Sequence, residues 1–509
     1  MAARNSAPLC AFEELAQRRG DPSLLRFYAP RLSAGDNMSN YLAFDLGAES
    51  GRAILGTLTA GSLTIEELHR FPNTPVHVFD AIYWDTLRLW HEIQRGLAIA
   101  GRERGLPLDG IGIDTWGVDF ALLGTDGALA DNPRHYRDAR TAGVMDKLFE
   151  TVPRAEVFAQ TGIQFMPLNS LYQLYALQLA DSPALARAQR LLFMPDLLNY
   201  WLTGIARAEL TIASTSQFYN PRRGTWAVDL LERLGLPTHI LPEIVAPGTR
   251  LGPLLPSVAE RAGLGPVAVY ATGGHDTASA VAAVPAEGSN WCYISSGTWS
   301  LMGAELDAPI INDRSLGQNL TNEAGAGGKI RFLKNIAGLW LLQECRRAWA
   351  LEGHEYNYDD LVRMAAGAPP FRTAIDPDAF LEPGDMPRKI ADHCRATGQT
   401  PPETPAEYTR TILESLARRY AEVLASLESL AGRRFDVIHI VGGGSRNALL
   451  NQLVADATGR TVIAGPSEAT AIGNILIQAI GAGELSGLGE ARAIVRQSFS
   501  VETFHPTAR

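Results

Sequence analysis

Asp276 follows Gly273-Gly-His275 and opens the run Asp276-Thr-Ala-Ser-Ala-Val281, where a short apolar strand, Val267 to Ala271, gives way to a helix. An aspartate in that place commonly serves as a helix N-cap, accepting backbone N–H bonds. The same place also keeps a carboxylate ionised, because the helix dipole favours negative charge at its N-terminus. A positioned carboxylate can act as proton acceptor in phosphoryl transfer, whose loose transition state gives up the attacking hydroxyl's proton late. Asp45 and Asp114 lie in otherwise apolar strands. Charge buried there is costly unless it is paired, hydrated or bound to a cation. Both are therefore candidates for organising Mg²⁺ or a substrate, with a turn-stabilising carboxylate as the alternative, and Asp45 is the better placed.

Asp45 adjoins the first of two similar turns. Asp45-Leu-Gly-Ala-Glu-Ser-Gly-Arg52 follows the apolar run Tyr41 to Phe44, and Ser295-Ser-Gly-Thr-Trp-Ser300 follows Trp291 to Ile294. Small residues in a turn leave backbone N–H groups open to an anion, and a nest of such groups suits a phosphate. Either stretch alone reads equally as an ordinary β-hairpin. Used twice, the device suggests a nucleotide gripped from both sides.

Two common phosphate-binding patterns fail. Gly327-Gly-Lys329 is followed by Ile330, so it lacks both the hydroxyl and the glycine spacing of a P-loop. Gly442-Gly-Gly444 follows a strand and opens a helix, but Asn447 stands where a dinucleotide fingerprint has its third glycine. The remaining readings are close backbone approach to a flat group, such as a purine and its ribose, or simply a tight strand-to-helix connection.

The elements that must position these residues are legible as two similar halves. A three-strand meander opens at Tyr41, continues through Arg52 to Leu58, turns at Ala60-Gly61 and runs on through Leu63 and Ile65. Asp85 is placed to cap a helix bearing Leu89, Ile93, Leu97 and Ala100 at helical spacing. Ile111 to Phe120 reads as one strand, with Thr125-Asp-Gly127 as the following turn. The middle, about 136 to 266, mixes helices and loops as an elaboration on the first core, and His135 with Arg137 to Arg140 reads as a solvated polar loop. The best boundary is Pro285 to Gly288, after which strand, Gly-containing turn and strand recur. A long helix from Ala406 to Leu430 with Gly432 as its stop, a strand Val437 to Val441 and a last helix from about Ala469 to Ile480 complete the second half. The expected organisation is therefore 1–37 as an appendage with Met38 as a natural start, domains over 38–285 and 286–495, and a tail over 496–509.

With 509 residues, 46% hydrophobic and 20% charged, the composition is that of a multidomain globular protein. A net charge of −10 argues against a nucleic-acid binder, which needs clustered cations. Cys10, Cys292, Cys345 and Cys394 are scattered without Cys-x-x-Cys spacing, so neither a zinc site nor a disulfide framework is indicated. With no run of membrane-spanning length and no basic-then-apolar leader, the expected location is cytoplasmic.

The first turn, the Gly-His-Asp segment before a helix and the Gly-rich loop together resemble those of the FGGY carbohydrate kinases, over nearly everything from Met38 to Phe504. More specific runs also fit a subgroup that acts on L-rhamnulose. These are Ile111-Gly-Ile-Asp-Thr-Trp-Gly-Val-Asp-Phe120, Gly162-Ile-Gln-Phe165, Ser295 to Gly303, Leu333-Lys-Asn-Ile336, Gly338 to Gln343, and His439 to Gly444 with Asn447 to Gln452. The resemblance implies an α/β fold of two ribonuclease-H-like domains, of the actin and sugar-kinase type, around a central cleft. It implies ATP as co-substrate, Mg²⁺, and phosphorylation of the sugar's 1-hydroxyl.

By position, Asp276 would be the proton acceptor, and Gly117, His275, Asp276, Thr277 and Asn335 would bind sugar. Ala48, Glu49, Ser50, Gly51, Arg52, Thr298, Gln343 and Gly443 would bind ATP, and Asp45 would help hold Mg²⁺. Ala48 departs from the wider family, which often has threonine there. That shifts the phosphate grip onto backbone N–H groups, Ser50 and Arg52, while the Glu49 side chain would have to point away. The expected partners are L-rhamnulose and ATP, with no nucleic acid, membrane or obligatory protein partner, in a monomer or homodimer.

Two alternatives remain open. One is a kinase for another ketose such as L-fuculose or L-xylulose, with Trp116 and Phe165 setting the choice. The other is a non-catalytic, nucleotide-dependent binding module of the same fold. Domain closure is expected for a kinase, since water must be kept from the γ-phosphate.

Overall fold

Alternate residues of the first apolar run, Tyr41 to Leu46, face opposite sides of a sheet, as a strand's period of two requires. In the computed structural model, which describes residues 38–370 and 373–507, this run is the centre of β1 (Ser39–Leu46). The expected appendage over 1–37 lies outside the described residues. β1 pairs antiparallel with β2 (Ser50–Thr59), which pairs antiparallel with β3 (Ser62–Pro72). On its other edge β1 runs parallel to β4 (Gly110–Thr115), and Asp45 and Asp114 are direct neighbours in that register. β5 (Thr249–Pro253) and β6 (Ala268–Ala271) complete a six-stranded sheet in the order β5-β6-β4-β1-β2-β3.

The second half repeats the plan. β7 (Trp291–Ser296), β8 (Trp299–Leu306), β9 (Thr321–Ala324), β10 (Ile330–Ala337), β11 (Val437–Val441), β12 (Thr461–Ala464) and β13 (Glu502–Phe504) form a sheet in the order β9-β10-β8-β7-β11-β12-β13. β10-β8-β7 is the antiparallel meander, and β11 and β12 add in parallel to β7. The matching order of β3-β2-β1-β4-β6 and β10-β8-β7-β11-β12 makes this a pair of ribonuclease-H-like α/β units.

Both faces of β1 are covered, by helices of different origin. Leu42, Phe44 and Leu46 join Leu89, Ile93 and Leu97 of α1 (Thr86–Ala98), whose N-cap Asp85 accepts from Arg88 N as its sequence position predicts. At the end of the first half, α2 (Asp276–Ala282) follows β6. α3 (Pro405–Ala431) starts in a capping box formed by Thr404 and Glu407 and stops at Gly432 in the left-handed region. Then come α4 (Ala448–Thr458), α5 (Ala469–Ala482) and α6 (Leu488–Ser498). On the opposite face of β1, Tyr41 and Ala43 pack with Ile472, Ile475 and Leu476 of α5. A helix late in the second half thus covers the first sheet.

The structure corrects three expectations. Ile111 to Phe120 is not one strand: β4 ends at Thr115, and Phe120–Leu123 pairs instead with Arg190–Phe193 in a separate ribbon. Between them Val118 has φ 67°, a conformation β-branched residues avoid, secured by its N–H to Thr215 and its carbonyl accepting from Ser170. The boundary set at 496 falls inside an element. Residues 496–498 finish α6, and β13 pairs with β12, seating Phe504 against the core. Nor is the stretch around His135 a solvated loop. His135 is buried and stacked on Trp84, and burial presses its pKa down to about 3. Arg137 lies over the Trp340 ring, 3.9 Å from its centroid, and donates to Leu381 O. Among the described residues no helix is long and apolar enough to cross a membrane.

Candidate active site

A cavity of about 270 Å³ opens where the ends of β1 and β7 meet. Its lining comes from both halves. Gly47 and Ala48 of the first turn and Ser295 to Thr298 of the second are on its wall, so the two similar turns do face one space. Each turn closes on its own backbone: Gly47 N donates to Ser50 O, and Gly297 N to Trp299 O. Asn73 braces the first turn by donating from Nδ2 to Gly47 O at 2.8 Å.

Ala48, Gly117, His275, Asp276, Thr277, Thr298, Asn335 and Gly443 all line this cavity. Asp276 is the first residue of α2, and His275 takes the N-cap position. Asp276 Oδ1 accepts from Thr277 N at 2.5 Å and from Thr277 Oγ1 at 3.2 Å, which holds the carboxylate against the helix start. Gly274 N behind it is tied to Glu209 Oε2 at 2.9 Å, and His275 N to Thr211 Oγ1 at 3.2 Å. The backbone of Asn335 is clamped by Gln164, whose Oε1 accepts from Asn335 N at 2.8 Å and whose Nε2 donates to Asn335 O at 3.2 Å. That clamp crosses the cleft.

Asp45, Glu49, Ser50, Gly51, Arg52 and Gln343 are not in the cavity wall. Arg52 donates to Asp45 Oδ2 at 2.5 Å and to Glu468 Oε2, so its guanidinium bridges two carboxylates. Through Glu468 it fixes the approach to α5, and Thr470 of that helix reaches the cavity. Gly51 answers to packing: a Cβ there would stand 2.3 Å from the Phe71 ring. Gln343 donates to Thr298 Oγ1 at 3.1 Å and so orients a wall residue. In the Gly-rich loop the three glycines divide the labour. A Cβ on Gly444 would meet Ser296 Oγ at 2.0 Å and one on Gly442 would meet Ser296 O at 2.9 Å, whereas one on Gly443 would meet nothing within 4 Å. Gly443 alone leaves open room on the cavity side.

The acidic residues of this corner influence one another. Burial lifts the pKa of Asp45, which Arg52 pulls back and Asp276 raises further. Burial holds Asp114 well above the ordinary carboxyl range, and the nearby Asp45 adds to the lift. Asp114 Oδ2 accepts from Asn474 Nδ2 at 2.6 Å, while its buried Oδ1 has no partner among the described residues.

Sequence reasoning missed Glu323, Gln164, Thr215, Trp299 and Thr470, all of which line the cavity. Gln164 was within reach, since it sits beside Phe165 in Gly162-Ile-Gln-Phe165. Phe165 itself packs edge-on to Phe149 in a neighbouring core, and Ile163 and Gln164 face the cavity instead. Glu323 gave no signal, because Thr321-Asn-Glu-Ala324 does not read as a buried strand. Trp116 does line the cavity, and its Nε1 and that of Trp84 both donate to Asp119.

Comparison with known proteins covers most of the chain. Residues 40–283 match the N-terminal domain, and 292–482 the C-terminal domain, of the FGGY family of carbohydrate kinases. A rhamnulokinase of Bacteroides thetaiotaomicron is 47% identical over 469 residues, covering 92% of this chain and 96% of the relative. One of Bacillus subtilis is 40% identical, covering 92% and 95%. Among solved structures, a gluconate kinase from Lactobacillus acidophilus superposes with a TM-score of 0.74 at 15% identity, over 92% of this chain and 94% of that one. A Plasmodium falciparum glycerol kinase with ADP gives 0.72 at 14% identity over the same shares. With both family domains matched and identities of 40% and above over nine-tenths of its length, this chain belongs to the FGGY family of carbohydrate kinases.

Proposed function

We propose that the protein transfers the γ-phosphoryl group of ATP to the 1-hydroxyl of L-rhamnulose, giving L-rhamnulose 1-phosphate and ADP. The observation that carries this reading is the placement of Asp276 in one cavity with both turns. The sugar-side choice is supported by the rhamnulokinases at 40% identity and above.

Asp276 Oδ1 is engaged by Thr277, which leaves Oδ2 to accept the proton of the sugar's 1-hydroxyl. As that proton leaves, the hydroxyl oxygen bonds to the γ-phosphorus, the bond from phosphorus to the β–γ bridging oxygen breaks, and ADP departs with that electron pair. The work of the site is positioning and charge stabilisation. Asn335, Thr277 and the Gly117 edge orient the sugar, while the two turns and Gly443 receive the nucleotide. Closure of the halves keeps water from the γ-phosphate.

Among the described residues no group of three His, Cys, Asp or Glu side chains is spaced to hold a metal by itself. Mg²⁺ suits such a site all the same, because it is commonly held by one or two carboxylates plus the substrate's phosphates. The clustered Asp45, Asp114 and Asp276, with Asp276 adding to the lift of the other two, and the unpartnered Asp114 Oδ1 fit a hard divalent cation, with Asp45 as its holder. When bound, Mg²⁺ supplies neutralisation of the phosphate charge.

The test is a coupled assay of ADP release across a panel of ketoses. L-Rhamnulose should give the highest kcat/KM, with L-fuculose and L-xylulose behind it. A higher value for either of the others would overturn the substrate assignment, and ADP release with none of them would favour a binding module.

A further inference from the structure

We infer that the buried Arg331–Glu323 pair fixes His275 as its Nε2–H tautomer, so that this ring is a hydrogen-bond donor beside Asp276. The inference rests on the reading of Asp276 as proton acceptor only for its consequence, not for its geometry.

Arg331 and Glu323 face each other across β10 and β9, in the second half of the chain. Both are buried, Arg331 completely, and their charges meet at 3.1 Å between Nη2 and Oε2. Burial alone would raise the Glu323 carboxyl, but the charge of Arg331 together with His275 and Asn335 holds the group below the usual range. Arg331 is further locked by Nε donating to Ala324 O at 3.0 Å. Its Nη2 also lies 3.1 Å from His275 Nδ1, across the cleft.

A guanidinium has five N–H donors and no acceptor. The contact is therefore a hydrogen bond only if Nδ1 presents its lone pair. The competing partner for Nδ1 is Glu323 Oε2, 3.2 Å away, which would require a proton on Nδ1. A proton on Nδ1 would face the Arg331 N–H head-on, and Glu323 Oε2 already has the Arg331 charge at 3.1 Å. In a neutral imidazole the hydrogen bond made by one nitrogen decides where the proton sits. With Nδ1 accepting, the proton is on Nε2.

Nε2 looks toward the cavity. It lies 3.4 Å from Asp276 Oδ1 and 3.4 Å from where a Cβ on Gly117 would stand. Oδ1 is thus the oxygen surrounded by donors, from Thr277 and from His275, and Oδ2 stays open for a substrate hydroxyl. A ring with its proton on Nδ1 would instead aim a lone pair at an anionic oxygen. Arg331 and Glu323 touch no reacting atom and act as positioning residues. Because they belong to the second half while His275 belongs to the first, the tautomer is set only when the halves stand together as they do here.

The experiment uses the full chain with ¹⁵N-labelled histidine and long-range ¹H–¹⁵N correlation spectra, with His275 assigned by difference from His275→Gln. The expected wild-type signature is a bare Nδ1 and a protonated Nε2; an Nδ1–H ring overturns the inference. A second arm is Arg331→Met, which removes the donor and leaves Glu323 as the only partner for Nδ1. The ring should then switch to Nδ1–H, with kcat down on the order of 10²-fold and the KM for ATP within about twofold. An unchanged tautomer in a folded Arg331→Met protein counts against the inference. Should that variant fail to fold, the wild-type spectrum still decides. An Asp276→Asn protein with normal turnover would remove the base assignment while leaving the tautomer result standing, so the two failures are distinguishable.

Discussion

Asn474 Nδ2 donates to Asp114 Oδ2 at 2.6 Å and joins residues 360 positions apart, one on α5 and one on β4. Gln478, one turn further along α5, donates to Asn474 Oδ1 at 2.7 Å and to Leu42 O at 3.2 Å. This polar ladder runs through an apolar interface where all three side chains are buried. Apolar packing would let a helix slide or rotate; paired polar groups fix its register, since a mismatch leaves them unsatisfied.

Asn474→Ala should therefore cost stability beyond the small volume lost. It strips Asp114 Oδ2 of its donor and leaves Gln478 without its side-chain acceptor. Leaving a buried polar group unpaired costs about 1–3 kcal/mol. Chemical denaturation should show a loss of at least that size, and a midpoint equal to wild type would remove the ladder's role.

Gly473, next to it, makes a steric prediction. A Cβ on Gly473 would stand 1.7 Å from Ser279 O of α2, a backbone atom that cannot rotate away. Overpacking against side chains costs about 1–3 kcal/mol, and backbone offers less relief. Gly473→Ala should lower stability by at least about 3 kcal/mol and disturb turnover too, because α2 carries Asp276. Gly483→Ala, on the same helix's exit, meets no atom within 4 Å but sits at φ 81°. It should cost only about 1 kcal/mol. Denaturation of the two variants side by side separates clash from backbone strain.

How legible all this was depended on the range of the interaction. Asp85 as a cap, Gly432 as a stop and the meanders after Tyr41 and Trp291 are local, and local residue chemistry sets them. Asp276 was readable because a strand-to-helix turn announces itself. The break at Trp116 to Asp119 was not: Val118 adopts its left-handed conformation only because Thr215 and Ser170 hold it, and the apolar run disguises the turn. The ion pair of Arg52 with Glu468 could not be read from the sequence, since Glu468 lies more than 400 residues downstream. Glu323 and Arg331 were equally invisible, since their role depends on His275 from the other half.

Asp119 offers a pH signature. Burial lifts its pKa from 3.8 to about 6, although Trp84, Gln173 and Trp116 donate to it. A carboxyl whose folded pKa lies above its unfolded one contributes stability fully below the unfolded value and loses it as pH rises through the folded one. The gap between 3.8 and about 6, at 1.36 kcal/mol per pH unit, amounts to about 3 kcal/mol. Asp119→Asn cannot titrate. Its stability relative to wild type should therefore improve by about that much between pH 4 and pH 7, read from denaturation at several pH values. A gap that stays constant with pH would show that Asp119 titrates alike folded and unfolded.

Gly117→Ala and Asp276→Asn should separate binding from chemistry. A Cβ on Gly117 would lie 3.4 Å from His275 Nε2 and 3.5 Å from Thr215, ordinary contacts that the fold accommodates, but it fills cavity space on the sugar side. The loss of room for one carbon is worth about 1–3 kcal/mol of discrimination. The sugar's KM should rise at least about tenfold, with kcat and the KM for ATP little changed. Asp276→Asn does the opposite. The amide oxygen can still accept from Thr277 N and Oγ1, so the start of α2 stays as it is. The amide nitrogen takes the place of Oδ2 and carries protons of its own, leaving nothing to receive the hydroxyl's. Turnover should fall on the order of 10²-fold or more, the range for loss of a general base, while calorimetry shows ATP binding intact. Near wild-type turnover in Asp276→Asn would mean that the hydroxyl's proton leaves by another route. Glu323, the other carboxylate in the cavity wall, is bound to Arg331 and could not supply that route without first giving up its ion pair.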